Sequence, residues 1–294
     1  MLRLMKYEQM LPHSRQFDAI GTQWSIETKE ELPDTIIAAI MNRIEKFDQT
    51  YSRFRPDSLV TKIAKQPGSY QFPDDAKPLI EFYQRLYTQT SGMVTPLIGT
   101  MLEQAGYDAN YTFSTKPFDT LPQWDDVMKW QGNTLITTQP VTLDFGAAGK
   151  GYLVDIIAEI LDSYLIDDYV IDASGDIRHK GVSENRVGLE HPFDPSKVIG
   201  VIDVRNKSMC ASAINRRAWG DTMHHIFNPD SKEPVREIVA TWVIAESTMI
   251  ADGLATALFF VDPAHLNKYH NYHYVRVHSD NSIDYSHEFK GELF

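Results

Sequence analysis

The chain has 294 residues, 43% hydrophobic and 23% charged, with a formal net charge of −12. That is the profile of a folded globular protein of one large domain or two medium ones, and it excludes a disordered, fibrous or membrane-embedded chain. The acidic balance and the lack of a Lys/Arg-rich run argue against nucleic acid as a partner, while the single cysteine, Cys210, excludes an intrachain disulfide and reads as a small core residue.

Met1 to Met10 contain no apolar run of signal-peptide length and no cysteine to lipidate, and nowhere do about 18 apolar residues run together. The expectation is a protein without a membrane anchor that stays in the cytoplasm. Ile36, Ile40, Ile44, Phe47 and Tyr51 recur at helical spacing and predict an amphipathic helix over residues 32–51. Residues 66–77 read as loop. Leu79, Phe82 or Tyr83, and Leu86 mark a second helix, closing near Gly92. Residues 108–125 are again loop. Strands over 134–137 and 141–145 flank a turn at Gln139-Pro140. Leu153, Ile156, Ile157, Ile160 and Leu161 mark a third helix, starting just after a Gly-rich stretch. Residues 169–173, 200–204, 239–245 and 274–278 are rich in β-branched residues and predict strands. Residues 191–197 read as loop, and 249–260 as a fourth helix. Strands and helices mix without a steady βαβ rhythm, which favours α+β, mixed sheets with packed helices, over a doubly wound sheet. With no repeat and no evident linker, 1–294 reads as a single domain or as two intertwined subdomains.

The chemistry concentrates at Asp144-Phe145-Gly146-Ala147-Ala148-Gly149-Lys150-Gly151. With Asp144 ending a strand and a helix following the loop, free backbone N–H groups and the positive end of the helix dipole are expected at one spot. Glycines allow a phosphate close to the backbone, and Lys150 adds a full charge. The spacing fits neither the Walker A loop nor the GxGxxG fingerprint. The residues alone allow a phosphate-facing turn or a tight packing turn with a solvated lysine.

This segment, continued through Tyr152 and Val154-Asp155, resembles the signature of the ApbE family of FAD:protein FMN transferases. Further segments match in the family's order. They are Gly21-Thr22-Gln23-Trp24, Tyr51-Ser52-Arg53-Phe54-Arg55-Pro56-Asp57-Ser58, Asp172-Ala173-Ser174-Gly175-Asp176-Ile177-Arg178, His225-Ile226-Phe227-Asn228-Pro229 and Asp252-Gly253-Leu254-Ala255-Thr256-Ala257. The resemblance implies a T-fold-related architecture with its active site in a cleft between subdomains. It implies an enzyme that splits FAD, moves FMN onto a Thr or Ser hydroxyl of an acceptor flavoprotein and releases AMP.

Attack of a hydroxyl on a pyrophosphate needs neutralised phosphates, alignment and removal of a proton. Asp252 and Thr256, spaced i, i+4, put a carboxylate and a hydroxyl on one helix face, a pairing that suits Mg²⁺. By resemblance the carbonyl of Ala147 is a further metal ligand, Lys150 binds FAD phosphate or flavin groups, and Asp144 fixes the flavin or ribityl part. His225 is the candidate general base, since an imidazole with a pKa of about 6.5 can take a hydroxyl proton at neutral pH. Its place in the His-Ile-Phe-Asn-Pro segment singles it out from ten histidines. Ile20, Phe54, Met93, Val94, Thr95 and Ile226 fall at the flavin-contact positions.

The sequence also departs from the family's pattern. Thr95 stands where an Asp is usual and loses a charge. Ser212-Ala213-Ile214-Asn215 lacks the family's Tyr, and Arg216-Arg217 follow, suited either to a phosphate or carboxylate partner or to a solvated loop. Two other activities share the same residues: a Mg²⁺-dependent FAD pyrophosphatase, with water replacing the protein hydroxyl, and a non-catalytic FAD-binding protein.

Overall fold

A computed structural model describes residues 11–220 and 222–294, so the reading of Met1 to Met10 lies outside the described residues. The described residues form two compact units: 11–44, 150–215 and 237–294 make the first, and 45–149 with 216–220 and 222–236 the second.

The first unit is built on an eight-stranded sheet in the order His13–Ala19, Thr22–Thr28, Tyr169–Asp172, Asp176–Lys180, Ser208–Ala213, Ile238–Ala245, His273–His278, Ile283–Tyr285. Every one of its neighbouring pairs is antiparallel. All eight residues of Ile238–Ala245 are buried, as expected of a central strand covered on both faces. A second sheet pairs Val198–Asp203 with Glu292–Leu293 on one side and Arg186–Glu190 on the other. Ile177, Val187, Leu189, Val239, Trp242 and Val275 belong to the core of this unit. Cys210 is fully buried, a small core residue as the sequence suggests.

Two helices of the first unit are locked together. On Gly149–Ser163, the carboxylate of Asp155 accepts bonds from the Ser247 hydroxyl and the N–H groups of Thr248 and Met249, at 2.7, 2.9 and 2.9 Å. The two amides are orphan donors of the helix Thr248–Ala257, whose N-cap is Ser247, and the negative charge also meets the positive end of its dipole. One turn earlier, Gly151 lies so close that a Cβ there would sit 2.7 Å from Asp252 Cβ and against the Thr248 carbonyl. Only glycine permits this approach.

In the second unit a three-stranded antiparallel sheet runs Gly68–Gln71, Thr134–Thr137, Met128–Gln131. The helix Lys77–Gln89 buries Leu79, Ile80, Phe82, Tyr83 and Leu86. Gly92, with φ +88°, donates its N–H to the Tyr87 carbonyl and turns the chain just beyond the helix end. Two short hairpins pair Ala218–Trp219 with Met223–His224 and Phe227–Asn228 with Glu233–Pro234.

The α+β expectation holds, with three local corrections. Residues 141–145 are not a strand. Val141, Leu143 and Phe145 are buried in alternation, but the segment has no ladder partner among the described residues and its Asp144 N–H bonds to the Pro96 carbonyl. Packing against a turn produced the period of two. Residues 66–77 are not plain loop: they contain the strand Gly68–Gln71 and the turn Asp74–Ala76. The third helix begins at Gly149, inside the Gly-rich stretch.

Replacing Asp155 by Ala removes three charge-assisted bonds from one helix terminus. The expected loss is about 2 kcal/mol, read as a lowered urea midpoint with an unchanged slope.

Candidate functional site

In the first unit the expected site residues Lys150, Asp252 and Thr256 stand on the two clasped helices. Asp252 is buried and one of its carboxylate oxygens accepts the Gly151 N–H at 2.9 Å. Thr256 is half-buried one turn along. Lys150 is not a solvated lysine. Its Nζ lies 2.5 Å from a carboxylate oxygen of Asp176 and donates to the Ala173 carbonyl at 2.9 Å. Burial works against the charge on Lys150, but the charges of Asp176 and Asp252 outweigh it and raise the pKa, so the ammonium persists. Asp176 is fully buried and, the Lys150 ion pair aside, its oxygens have no hydrogen-bond partner among the described residues. Burial pushes Asp172 up within the carboxylate scale, and Cys210 well above the thiol range, so Cys210 is inert as a nucleophile. Ile20 and Gly21 close the first hairpin, with φ of +42° and +76°. A β-branched residue in the left-handed region is strained, and such strain collects at ligand sites.

In the second unit the structure joins Phe54 and Asp144 through a residue the sequence reading did not single out. Arg53 is buried; its Nε donates to Asp144 at 2.6 Å and its Nη1 to the Tyr107 carbonyl at 2.8 Å. Its guanidinium carbon lies 4.2 Å from the centroid of Phe54. Asp144's other oxygen accepts the Gly146 N–H at 2.7 Å. Burial alone would raise the Asp144 pKa; the charge and hydrogen bond of Arg53, with Gly146 and Arg217, hold it below the usual carboxylate range. Thr95 is buried and its hydroxyl oxygen caps the turn Pro96–Ile98 by accepting the Leu97 N–H, so the oxygen that replaces a carboxylate already has a structural task. Met93 and Val94 lead into this turn, where the Val94 N–H bonds to the Thr90 hydroxyl oxygen.

The loop departs from expectation in one respect. Its amides are not free: besides Gly146, the N–H groups of Ala147 and Ala148 both donate to the Tyr83 hydroxyl at 3.1 and 3.2 Å, and that of Gly149 to the Phe145 carbonyl. Tyr83 was legible only as a helix core residue.

His225 is half-buried, and its Nδ1 is enclosed without a hydrogen-bond partner among the described residues. Burial, reinforced by the charge of Arg217, pushes its pKa down to about 3, so the ring is neutral at physiological pH. The neighbouring His224 is instead structural: its ring nitrogens meet the Val235 carbonyl and the Ile226 N–H. Ile226 is buried beside it.

Among the described residues no group of three or more His, Cys, Asp or Glu could hold a metal ion. The candidate metal ligands are a mixed set, one carboxylate with a hydroxyl and a carbonyl. No helix of the described residues is long and apolar enough to cross a membrane.

The ApbE family model matches residues 20–278. The chain belongs to the ApbE family. The FAD:protein FMN transferase of Vibrio cholerae is 26% identical over 247 residues, covering 76% of this chain and 72% of that protein. That of Haemophilus influenzae is 26% identical over 267 residues, covering 82% and 75%. Among solved structures, the ApbE protein of Thermotoga maritima superposes with a TM-score of 0.83 at 22% identity over 94% of this chain and 97% of that one. The flavin transferase ApbE of Vibrio cholerae gives 0.78 at 21%, over 93% and 96%. At these identities the structures establish the shared fold. As a family member the chain is an enzyme of the transferase class.

Arg53→Gln leaves Asp144 buried without its cation, at an expected cost of about 3 kcal/mol at neutral pH. The pH dependence should also change sign. With Arg53 present the folded-state pKa of Asp144 is depressed, so its contribution is present above the unfolded-state value and lost as pH falls through the folded one. Without Arg53 burial raises the pKa, and stability should fall as pH rises from 4 to 7. Urea titrations across that range measure both.

Proposed function

We propose that this ApbE-family chain is a Mg²⁺-dependent FAD:protein FMN transferase acting on a Thr or Ser hydroxyl of an acceptor flavoprotein. The reading is carried by family membership over nearly the whole chain, with relatives named for that activity. The side chains that such chemistry requires are present. Asp252 and Thr256 fit a hard cation: both offer oxygen, and the Gly151 N–H fixes the carboxylate. With the Ala147 carbonyl they would hold Mg²⁺, which supplies charge neutralisation on the pyrophosphate when bound.

In the proposed step the acceptor hydroxyl oxygen bonds to the phosphorus of the FMN half. The bond from that phosphorus to the bridging oxygen breaks, and AMP leaves with the electron pair. The hydroxyl proton passes to His225, whose ring is already neutral and whose Nδ1 has no hydrogen-bond partner among the described residues. Lys150, kept charged by Asp176, serves FAD phosphate or flavin groups. Asp144, held by Arg53, orients the flavin or ribityl part. Ile20, Phe54, Met93, Val94, Thr95 and Ile226 supply the flavin contacts.

Incubation with FAD, Mg²⁺ and an acceptor domain should give the mass of an FMN adduct on the acceptor together with AMP. Asp252→Ala should abolish both, and His225→Ala should slow them about 10² to 10⁴-fold. Free FMN and AMP without an adduct would instead mark a pyrophosphatase, and FAD binding without AMP a binding protein.

A base already neutral sets the pH profile. The acid limb of kcat/KM, which reports the free enzyme, should lie below pH 5. The limb of kcat should sit higher, because bound phosphate favours the imidazolium. An inflection of kcat/KM near pH 6.5 that vanishes in His225→Ala would keep His225 as the base but contradict its lowered pKa, and an acid limb that persists unchanged in His225→Ala would contradict the assignment itself.

A further inference from the structure

Ile20 and Lys150, two residues assigned to FAD, both depend on hairpin tips of the first unit. The first tip joins His13–Ala19 to Thr22–Thr28. Its Ala19 carbonyl accepts the Trp24 indole N–H at 3.1 Å and the Thr22 hydroxyl at 3.3 Å, and Ile20 follows in the left-handed region. The second tip, Ala173-Ser174-Gly175, joins Tyr169–Asp172 to Asp176–Lys180. It is closed by the Ala173 N–H on the Asp176 carbonyl and the Gly175 N–H on an Asp172 carboxylate oxygen, both at 2.9 Å. The Lys150 ammonium is anchored on this tip, by the Ala173 carbonyl and the Asp176 carboxylate.

The two tips belong to neighbouring strands. Thr22–Thr28 and Tyr169–Asp172 pair from Thr28 opposite Tyr169 to Ser25 opposite Asp172, where the ladder stops. Carried two residues further, the same register sets Gln23 opposite Ser174. The backbone does not continue the ladder there, because Ser174 turns away with φ +53°. Its side chain takes over: the Ser174 hydroxyl donates to the Gln23 carbonyl at 2.8 Å. One hydroxyl thus ties the tip that presents Ile20 to the tip that anchors Lys150.

The turn itself has no need of this serine. A left-handed φ disfavours any residue with a Cβ, and glycine would adopt it without strain. Ser174 is exposed and adds nothing to the core. The strands below are already held by their ladder, so one more exposed hydrogen bond contributes little to folding. What the bond does remove is the freedom of the two tips to move apart. Groups that must meet one ligand together bind it more tightly when they are fixed beforehand.

We propose that Ser174 is a positioning residue for FAD, acting through the Gln23 carbonyl to hold the Ile20 tip and the Lys150 anchor as one preformed unit. The assignment rests on the transferase reading, which puts the flavin against Ile20 and an FAD group on Lys150. Three substitutions test it, because Gly, Asn and Asp all tolerate a left-handed φ and differ in what they can donate. Gly has no side chain, the Asp carboxylate only accepts, and the Asn amide can donate to the Gln23 carbonyl as the hydroxyl does. FAD is titrated without added Mg²⁺, so that it is not split, and AMP, which has no flavin, is titrated as the control. Ser174→Gly and Ser174→Asp should weaken FAD about fivefold, the worth of one net hydrogen bond, and leave AMP unchanged. Ser174→Asn should recover most of the FAD affinity. Urea midpoints should follow a different order, with Ser174→Gly close to the unmodified protein. Equal FAD affinity in Ser174→Gly and the unmodified protein, or a loss in Ser174→Asn as large as in Ser174→Gly, would overturn the positioning role alone. Failure of the unmodified protein to bind FAD would overturn the transferase reading, and this role with it.

Discussion

Among the carboxylates largely or wholly withdrawn from water are Asp144, Asp176 and Asp252, the three that lie at or beside the candidate site. A withdrawn carboxylate costs several kcal/mol unless a cation or a well-aimed donor meets it. Each has been given its own partner: Arg53 for Asp144, Lys150 for Asp176, and the Gly151 amide for Asp252. Much of the local architecture follows from these pairings. Arg53 must be buried and therefore sits between Phe54 and Tyr107. Lys150 must point toward Asp176, which sets the first turn of its helix. Gly151 must lack a side chain, because two helices meet where it stands.

The same pairings explain what could be read from the sequence. Ordered motifs exposed Asp144, Lys150, Asp252 and His225, because reactive groups leave residue types at fixed places. Helices with a regular apolar stripe, such as Asp34–Tyr51, were legible from periodicity. Residues 141–145 were not, since alternating burial against a turn looks like a strand until the absence of a ladder is known. Arg53 and Asp176 lay within recognised segments but carried no visible signal of their role. Pairing across 91 residues, as between Arg53 and Asp144, is a property of the fold and not of local pattern. Tyr83 was hidden for a related reason: its ring is ordinary helix core, and only its hydroxyl serves the loop amides.

The loop amides also alter how the Gly-rich stretch should be understood. Its small residues do not leave a ring of open donors. They let the chain turn tightly enough for Asp144, Tyr83 and Phe145 to absorb the amides, so that charge is delivered by side chains held in place by other side chains. That arrangement is stiffer than a backbone cradle.

The order of strands in the large sheet has a consequence for synthesis. Ser208–Ala213 pairs on one side with a strand made earlier and on the other with Ile238–Ala245. While a ribosome is still adding the segment between them, the nascent sheet ends in Ser208–Ala213, an apolar edge with unpaired backbone groups. The residues made in that interval, 216–236, belong to the other compact unit. The edge therefore stays open while chain destined for the other unit emerges, and it is a point at which a nascent chain is exposed to pairing with a neighbour.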